Sequence, residues 1–170
     1  KPPAPAFTFR ICSTPRPFDN HVIGDGAVYN SRSTVYTSTR QPVLLGASLA
    51  RGGEGEILEV DSNRVAKIYF HDRRTCSRRD KLQLMCGRPL TIREVAWPQE
   101  VLNDATGNFI GYIMPKARGR PLQHCVFGKS ALAEHFPSWK RKHLVELALT
   151  YASVVARIHE LGLIVGDINP

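Results

Sequence analysis

Two stretches of the sequence decide the fold: LARGGEGEI at residues 49–57 and VAKIY at residues 65–69. The strand-like segments around and within them, at residues 43–49, 56–60 and 64–70, are rich in β-branched and apolar residues, and the turn-forming DSN at residues 61–63 separates the last two. An apolar run at residues 43–49 precedes them. The pattern predicts three consecutive antiparallel strands at residues 43–49, 56–60 and 64–70, with a glycine-rich turn between the first two.

The glycine-rich turn and Lys67 together indicate an anion site. Glycines lack a Cβ, so backbone N–H groups in such a turn can approach an anion closely. Turns of this kind without a ligand are common, so the turn alone leaves both interpretations open. Lys67 interrupts an otherwise apolar strand, and Val65 and Tyr69 share its face by two-residue alternation. A strand lysine usually points to solvent, but one flanked on its face by apolar side chains needs an anionic partner nearby. A glycine-rich hairpin followed by such a lysine is a more specific signal than either feature alone.

Outward from this stretch, the chain alternates proline-rich, helical and strand-like segments. Residues 1–42 are rich in proline, serine and threonine and predict an irregular arm that adds an edge strand, with strand-like pieces at residues 7–11 and 34–37. Asp72 is a good N-cap for a helix that runs to about Cys86, where Gly87 ends it.

A second hairpin and a long helix follow. The runs at residues 100–103 and 109–114 flank DATGN, a hairpin signal, so five strands and one helix precede the second half of the chain. From Ser138 to Gly162 the apolar residues follow helical spacing. The predicted buried face consists of Leu144, Leu147, Tyr151, Val154, Val155, Ile158 and Leu161.

Four short motifs carry a resemblance to a known family: GGEGEI at residues 52–57, KLQLM at 81–85, WP at 97–98 and GYIMP at 111–115. With Lys67 on the third strand, they resemble the protein-kinase N-lobe, in particular the atypical bacterial Ser/Thr kinase-like proteins associated with tellurite resistance and phosphatases. The resemblance covers residues 44–170. It implies an α+β fold, with a five-stranded antiparallel sheet and one helix in the N-lobe.

The resemblance also implies a domain division and a nucleotide site. The arm would occupy residues 1–42, the N-lobe 43–114, the hinge 115–120, and a partial C-lobe 121–170. ATP would lie under the glycine-rich turn, with Lys67 holding the α- and β-phosphates. The residues that the resemblance places around the nucleotide are Leu49, Ala50, Gly52, Gly53, Glu54, Gly55, Ile57, Ala66, Lys67, Asp80, Met114, Pro115 and Ala117.

Individual roles follow from the same resemblance. Met114 would be the gatekeeper, and the Pro115 carbonyl and the Ala117 N–H would bind the adenine. Leu49, Ile57 and Ala66 would enclose the base in an apolar slot. Ala50 stands where the first glycine of the loop is usual, while Gly52 and Gly55 match the second and third.

The acidic partner of Lys67 is harder to assign. The resemblance places a glutamate on the helix that follows the lysine strand, and Asp80 is the candidate, with Leu84 one turn further on the same face. The alternative is a surface aspartate that pairs with Arg79 or Lys81.

The last residues, 164–170, resemble the kinase catalytic loop. Asp167 falls on the catalytic aspartate, which orients the proton of the acceptor hydroxyl. Val165 and Gly166 replace the usual histidine and arginine, which implies independence from activation-loop phosphorylation. Asn169 replaces a lysine that aids the γ-phosphate. The Mg²⁺ ligands are expected beyond residue 170.

The expected function is an ATP-dependent Ser/Thr protein kinase that transfers the γ-phosphoryl group to a protein hydroxyl, present here as a fragment that is inactive alone. The alternative is a pseudokinase or nucleotide-binding scaffold. The implied partners are ATP, a protein substrate and a partner phosphatase.

Composition narrows the classes further. The net charge of +8 also fits a nucleic-acid-binding module, but aromatic residues, at 8%, are not interleaved with the basic runs. The sequence has no apolar stretch long enough for a membrane helix and no recognisable signal peptide, so we predict neither a membrane protein nor a secreted one. Four cysteines without metal-ligand spacing favour reduced thiols in the cytoplasm and argue against structural zinc. Because the sequence opens at Lys1 rather than Met, we expect a piece of a longer protein.

Overall fold

The computed structural model describes residues 21–24, 26–119 and 121–165. Asp167 and the strand-like piece at residues 7–11 lie outside the described residues. In the described part the strands are β1 (Thr34–Thr37), β2 (Pro42–Leu44), β3 (Ser48–Arg51), β4 (Gly55–Glu59), β5 (Arg64–Tyr69), β6 (Glu100–Asn103) and β7 (Phe109–Pro115). The α-helices are α1 (Cys76–Cys86), α2 (Leu122–Cys125), α3 (Lys129–His135) and α4 (Arg141–Glu160). The α+β class predicted from the sequence is confirmed.

These residues form two compact units. One contains residues 21–24, 26–91 and Ala96–Lys116, and the other contains Ile92–Val95, 117–119 and 121–165. The first unit holds the whole sheet and α1, and the second holds α2, α3 and α4.

The described strands of the first unit make one curled antiparallel sheet in the order β2-β1-β6-β7-β5-β4-β3. The sheet has seven strands rather than the predicted five, because β1 is added to it and the predicted strand at residues 43–49 forms two strands. The predicted antiparallel series β3, β4, β5 is confirmed, as is the β6–β7 hairpin. The predicted edge strand from the arm is partly wrong. β1 lies inside the sheet, between β2 and β6, and the outer position belongs to β2.

The predicted strand at residues 43–49 is split in two. β2 and β3 stand at opposite ends of the strand order although only three residues separate them, so the sheet must curl. Gly46 makes the crossing possible, because its N–H donates to the Glu59 carbonyl at 2.7 Å and a Cβ there would lie 3.0 Å from the Glu59 Cβ. A close approach of this kind depends on distant residues and leaves no local mark in the sequence.

The two faces of the sheet bury different clusters. One face carries the larger cluster, Val35, Leu45, Leu58, Ala66, Ile68, Leu102, Ile110 and Ile113. The other face carries Tyr69, Val101 and Phe109, which pack with Leu82 of α1. Because side chains alternate along a strand, Lys67 lies on the face that α1 covers.

Helix α1 begins later than the sequence predicts. Thr75, not Asp72, is its N-cap, and the Thr75 hydroxyl accepts from the Arg78 N–H at 3.3 Å. Asp72 lies in a short 3-10 turn, His71–Arg73, directly before it. The start of α1 is fixed by buried Arg74, which donates to the carbonyls of Tyr69 and Ala27 at 2.9 Å. The predicted end at Cys86 is confirmed.

In the second unit, α4 confirms the predicted long helix but begins at Arg141 rather than Ser138. Before the helix, residues 136–139 form a turn, in which the Trp139 N–H donates to the Phe136 carbonyl at 2.9 Å and the two rings stack at 4.5 Å between centroids. Val154 and Ile158 are buried as predicted, whereas Leu144 and Leu161 at the two ends are exposed. Among the described helices, none combines the length and apolar character needed to cross a membrane.

Candidate functional site

The candidate site is built around Lys67 in the middle of β5. In the register of the sheet, Lys67 stands opposite Ile57 of β4 on one side and Tyr112 of β7 on the other. Cross-strand partners share a face, so these side chains surround the lysine stem on the α1 side of the sheet. The side chain of Lys67 is only 18% exposed. A lysine held this way requires an anionic neighbour.

That neighbour is Glu54, from the turn between β3 and β4. Its Oε2 accepts from Lys67 Nζ at 3.0 Å, and its Oε1 accepts from Arg78 Nη2 at 2.8 Å. Arg78 projects from α1, and its side chain is 14% exposed. One carboxylate therefore bridges two largely buried cations, which together carry one uncompensated positive charge.

Tyr69 forms the aromatic wall of this cluster. Its ring lies 5.0 Å from Lys67 Nζ and 4.6 Å from the Arg78 guanidinium carbon, both within cation–π range. The rings of Tyr112 and Phe109 lie about 6 Å from it, at 6.0 and 5.9 Å. Burial and neighbouring Tyr112 raise the pKa of Tyr69 far above its usual range, so the phenol stays neutral. The wall thus offers π-electron density and no negative charge of its own.

The charges fix the ionisation of Glu54. Its partial burial on its own raises the carboxyl pKa, but the hydrogen bond and charge of Lys67 and the charges of Arg78 and Arg73 outweigh this effect. The net result is a pKa below the ordinary value. Glu54 is therefore a carboxylate at neutral pH and competes with any other anion for the same two cations.

The glycine-rich turn combines a tight base with an open tip. A Cβ on Gly55 would lie 2.9 Å from the Tyr69 Cα, against backbone atoms that cannot move aside, so only glycine fits there. By contrast, a Cβ on Gly52 or Gly53 would meet no atom within 4 Å. The structure thus leaves free space at the tip of the turn, at the two glycines that precede Glu54.

The predicted nucleotide-site residues on β3 and β4 differ in exposure. Leu49 and Ala50 lie on β3, at the end of the sheet, and are exposed. Ile57 is half-buried on the Lys67 face. The roles given to these residues and to the glycines stay predictions.

The assignment of Ala66 to the same apolar slot is wrong. Ala66 is fully buried in the cluster on the opposite face of the sheet, because it directly precedes Lys67 in an extended strand. The residue on the Lys67 face is Val65, which stands opposite Met114 of β7. Two-residue alternation along the strand had predicted that Val65 lies on the Lys67 face, and the same rule excludes Ala66 from it.

The pairing of Lys67 with Asp80 is also wrong. Asp80 Oδ1 accepts from Arg79 at 2.9 Å and its side chain is 58% exposed, as in the surface alternative. The error comes from the phase of α1, since Leu82 faces the sheet and Leu84 is 72% exposed. Arg78, one turn before Leu82, therefore takes the inward position next to Lys67. The sequence predicted neither Arg78 nor its bridge through Glu54.

The predicted gatekeeper and the start of the predicted hinge lie at the end of β7. Met114 and Pro115 are half-buried at the end of this strand, opposite Val65 and Arg64. Lys116 continues the chain, with its N–H bonded to the Asn63 carbonyl at 2.7 Å and its Nζ to Glu59 Oε1 at 2.5 Å. Ala117 is exposed and belongs to the second unit.

Comparison with known proteins points the same way as the motifs. Over 143 residues, 81% of the chain, the sequence is 34% identical to an Escherichia coli O157:H7 protein named protein kinase YegI. The protein of that name in Escherichia coli K12 is 34% identical over 140 residues, 79% of the chain. This similarity supports a kinase-like family. The matched region is 22% of each relative, so the chain spans about a fifth of their length.

No protein-family model matches the chain, and no solved structure is significantly similar to it. In residues 21–24, 26–119 and 121–165 no three His, Cys, Asp or Glu side chains cluster in a way that could hold a metal ion.

Proposed function

We propose that this chain carries the ATP-binding part of a protein kinase that transfers the γ-phosphoryl group to a serine or threonine hydroxyl of a protein. The observation that carries the proposal is the cluster of Lys67 and Arg78 beside a glycine-rich turn with an open tip. Similarity to proteins named kinase over four fifths of the chain supports it. The protein acceptor and a partner phosphatase rest on the family resemblance.

The chemistry expected of the site is electrostatic. A triphosphate carries several negative charges, and two cations in a partly dehydrated setting bind it more strongly than surface lysines would. Lys67 would hold the phosphates near the turn, and Val65 and Met114 would pack against the base. In kinases generally, Mg²⁺ neutralises phosphate charge when bound. The residues that would hold the metal are expected beyond residue 170.

Asp167 completes the proposal as the residue that orients the acceptor hydroxyl. An aspartate at this point accepts a hydrogen bond from the hydroxyl and directs its oxygen at the γ-phosphorus. Asp167 lies outside the described residues, so its role depends on the sequence resemblance alone.

A nucleotide-binding scaffold without catalysis is the second candidate, and one observation favours it. The position of α1 that faces Lys67 carries Arg78, a cation, where the family resemblance implies a carboxylate. Lys67 is paired with Glu54 of the turn instead. Protein kinases need the pair between this lysine and a helix glutamate for transfer, so a cation at that helix position favours a site that binds nucleotide without transferring phosphate.

ATP binding tests the shared part of both candidates. Isothermal titration should show saturable binding of ATP to the chain and loss of at least about tenfold in affinity in Lys67→Ala, since a charge-assisted contact is removed. Arg64→Ala is the matched control. It removes the same charge from the same strand, but Arg64 pairs with Asp61 at 2.7 Å and points to the other face. Equal affinity in wild type and Lys67→Ala would contradict the proposed site.

Phosphotransfer separates the two candidates. The full-length natural protein should transfer label from γ-labelled ATP to a protein acceptor, and Asp167→Ala should abolish the transfer while ATP binding persists. Binding without transfer in the wild-type protein would select the scaffold.

A further inference from the structure

The structure contains a second cation beside Lys67 that the family motifs do not include. We propose that Arg78 is a phosphate-binding residue of the site. Without nucleotide, the Glu54 carboxylate occupies the place beside Lys67 and Arg78 that a phosphate would take, and a bound nucleotide displaces it. This inference rests on the proposed nucleotide site and names how that site recognises phosphate.

The geometry of the bridge supports the first half of the proposal. The two oxygens of Glu54 are divided between the cations, with one at 2.8 Å from Arg78 Nη2 and the other at 3.0 Å from Lys67 Nζ. A phosphate presents its oxygens at a spacing similar to that of a carboxylate. A group that replaces the Glu54 carboxylate can therefore accept from both donors without a movement of either strand or helix.

Arg78 is held in place independently of Glu54. Its Nη1 donates to the Arg73 carbonyl at 2.9 Å, and its guanidinium lies 4.6 Å from the Tyr69 ring centroid. These contacts remain when Glu54 leaves, so the guanidinium stays in position. An arginine does not lose its proton in a protein, so an inward-facing guanidinium left without Glu54 requires another anion.

Glu54 can leave by side-chain rotation alone. Its backbone is fixed, because its carbonyl accepts from the Phe70 N–H at 3.0 Å, but its side chain is already 36% exposed. On the tip side of the turn, a Cβ on Gly52 or Gly53 would meet no atom within 4 Å, so space is open next to Glu54 in that direction. Rotation restores its hydration, which keeps the cost of displacement small.

Substitutions at the two partners of this ion pair, Arg78 and Glu54, should then have opposite effects on ATP affinity. Removing Arg78 removes a phosphate contact and weakens ATP binding, whereas neutralising Glu54 removes the competitor and tightens it. A purely structural bridge predicts a different pattern, since either change would loosen the site and weaken binding together.

The experiment is an ATP titration by calorimetry of the wild-type chain and four variants. Arg78→Ala should bind ATP about tenfold more weakly, and Glu54→Gln several-fold more tightly. Arg79→Ala controls for the first, because Arg79 is the adjacent arginine and pairs outward with Asp80. Glu134→Gln controls for the second, because it removes the same charge from an exposed position of α3. Both controls should match the wild type.

Folding is monitored by urea denaturation, and Arg78→Lys provides a milder variant. It keeps the charge but not the forked donors, so its affinity should lie between those of the wild type and Arg78→Ala. If the wild type binds ATP through Lys67 but Arg78→Ala and Glu54→Gln match their controls, the inference is overturned and the proposed function stands. Weaker binding in Glu54→Gln also overturns it. If the wild type binds no ATP, the proposed function itself fails.

Discussion

Gly111 of β7 is the position where a single methyl group would test the register that places Lys67. Gly111 stands opposite Ile68, the residue after Lys67. A Cβ on Gly111 would lie 3.0 Å from the Lys67 carbonyl carbon and 3.1 Å from the Ile68 Cα. Carbon atoms at rest lie about 3.5–4.0 Å apart, so β5 and β7 would have to separate by roughly half an ångström or more.

We expect Gly111→Ala to destabilise the first unit by about 3 kcal/mol. Overpacking in a rigid core costs about 1–3 kcal/mol, and the atoms in the way belong to backbone rather than to a side chain that can rotate. Weakened ladder hydrogen bonds on either side of the contact add about 1 kcal/mol each. The loss is a large share of the roughly 5–15 kcal/mol that stabilises a small domain.

The assay is equilibrium urea denaturation followed by circular dichroism, with Gly53→Ala as the matched control. The same methyl group on Gly53 meets no atom within 4 Å, so its effect should stay within about 0.5 kcal/mol. If Gly111→Ala unfolds at the wild-type midpoint, β5 and β7 are not paired in this register. The assignment of Lys67 to the α1 face would then lose its basis.

Three further predictions concern carboxylates and the corrected slot. Asp104→Ala should lower the free energy of unfolding by about 2 kcal/mol in a urea titration, because buried Asp104 accepts from the N–H groups of Thr106 and Asn108 at 2.9 and 2.8 Å. Asp80→Ala should change it by less than about 0.5 kcal/mol, and an equal loss in both variants would contradict the exposed position of Asp80. Glu54→Gln should flatten the acid dependence of stability. The folded pKa of Glu54 lies below its unfolded value, so its stabilisation is present above the unfolded pKa and is lost as pH falls through the folded one, from about pH 5 downward. Identical melting temperatures of wild type and Glu54→Gln relative to their pH 7 values, at each pH from 7 to 3, would refute this. Val65→Trp should weaken ATP binding at least about tenfold, because the indole does not fit at this buried position and must extend into the base side of the site; the urea midpoint checks folding, and unchanged affinity would place the base elsewhere.

Local sequence was sufficient for most elements of the fold. Turn residues at 61–63 and 104–108 separate strands whose pairing follows from chain order, and β4 and β5 appear where expected. Two-residue alternation placed Lys67 among apolar neighbours, and the structure brings it to Ile57 and Tyr112. These features depend on residues close in sequence, which is why they could be predicted.

The missed features depend on residues far apart in sequence. In the KLQLM segment both Leu82 and Leu84 are apolar, and only packing against the sheet selects Leu82 for the inside. That choice sets the phase of α1 and therefore turns Arg78, not Asp80, toward Lys67. A further contact between residues distant in sequence lies at the end of α1, where the Trp97 indole N–H donates to the Met85 carbonyl at 2.9 Å.

The bridge through Glu54 was missed for a related reason. A glutamate in a glycine-rich turn has no periodic pattern that indicates its direction. Its partners lie 13 and 24 residues away, at Lys67 and Arg78. Similarly, the split of residues 43–49 into two strands depends on the contact between Gly46 and Glu59.

The central claim is that a nucleotide binds on the Lys67 face, over the glycine-rich turn and next to α1. Its most direct test is an amide chemical-shift map of the isotopically labelled chain during an ATP titration. We predict progressive shifts at Gly53, Glu54, Lys67 and Arg78, with the turn at residues 104–108 unchanged. Shifts confined to the basic start of α4, or to the 104–108 turn, would contradict the claim.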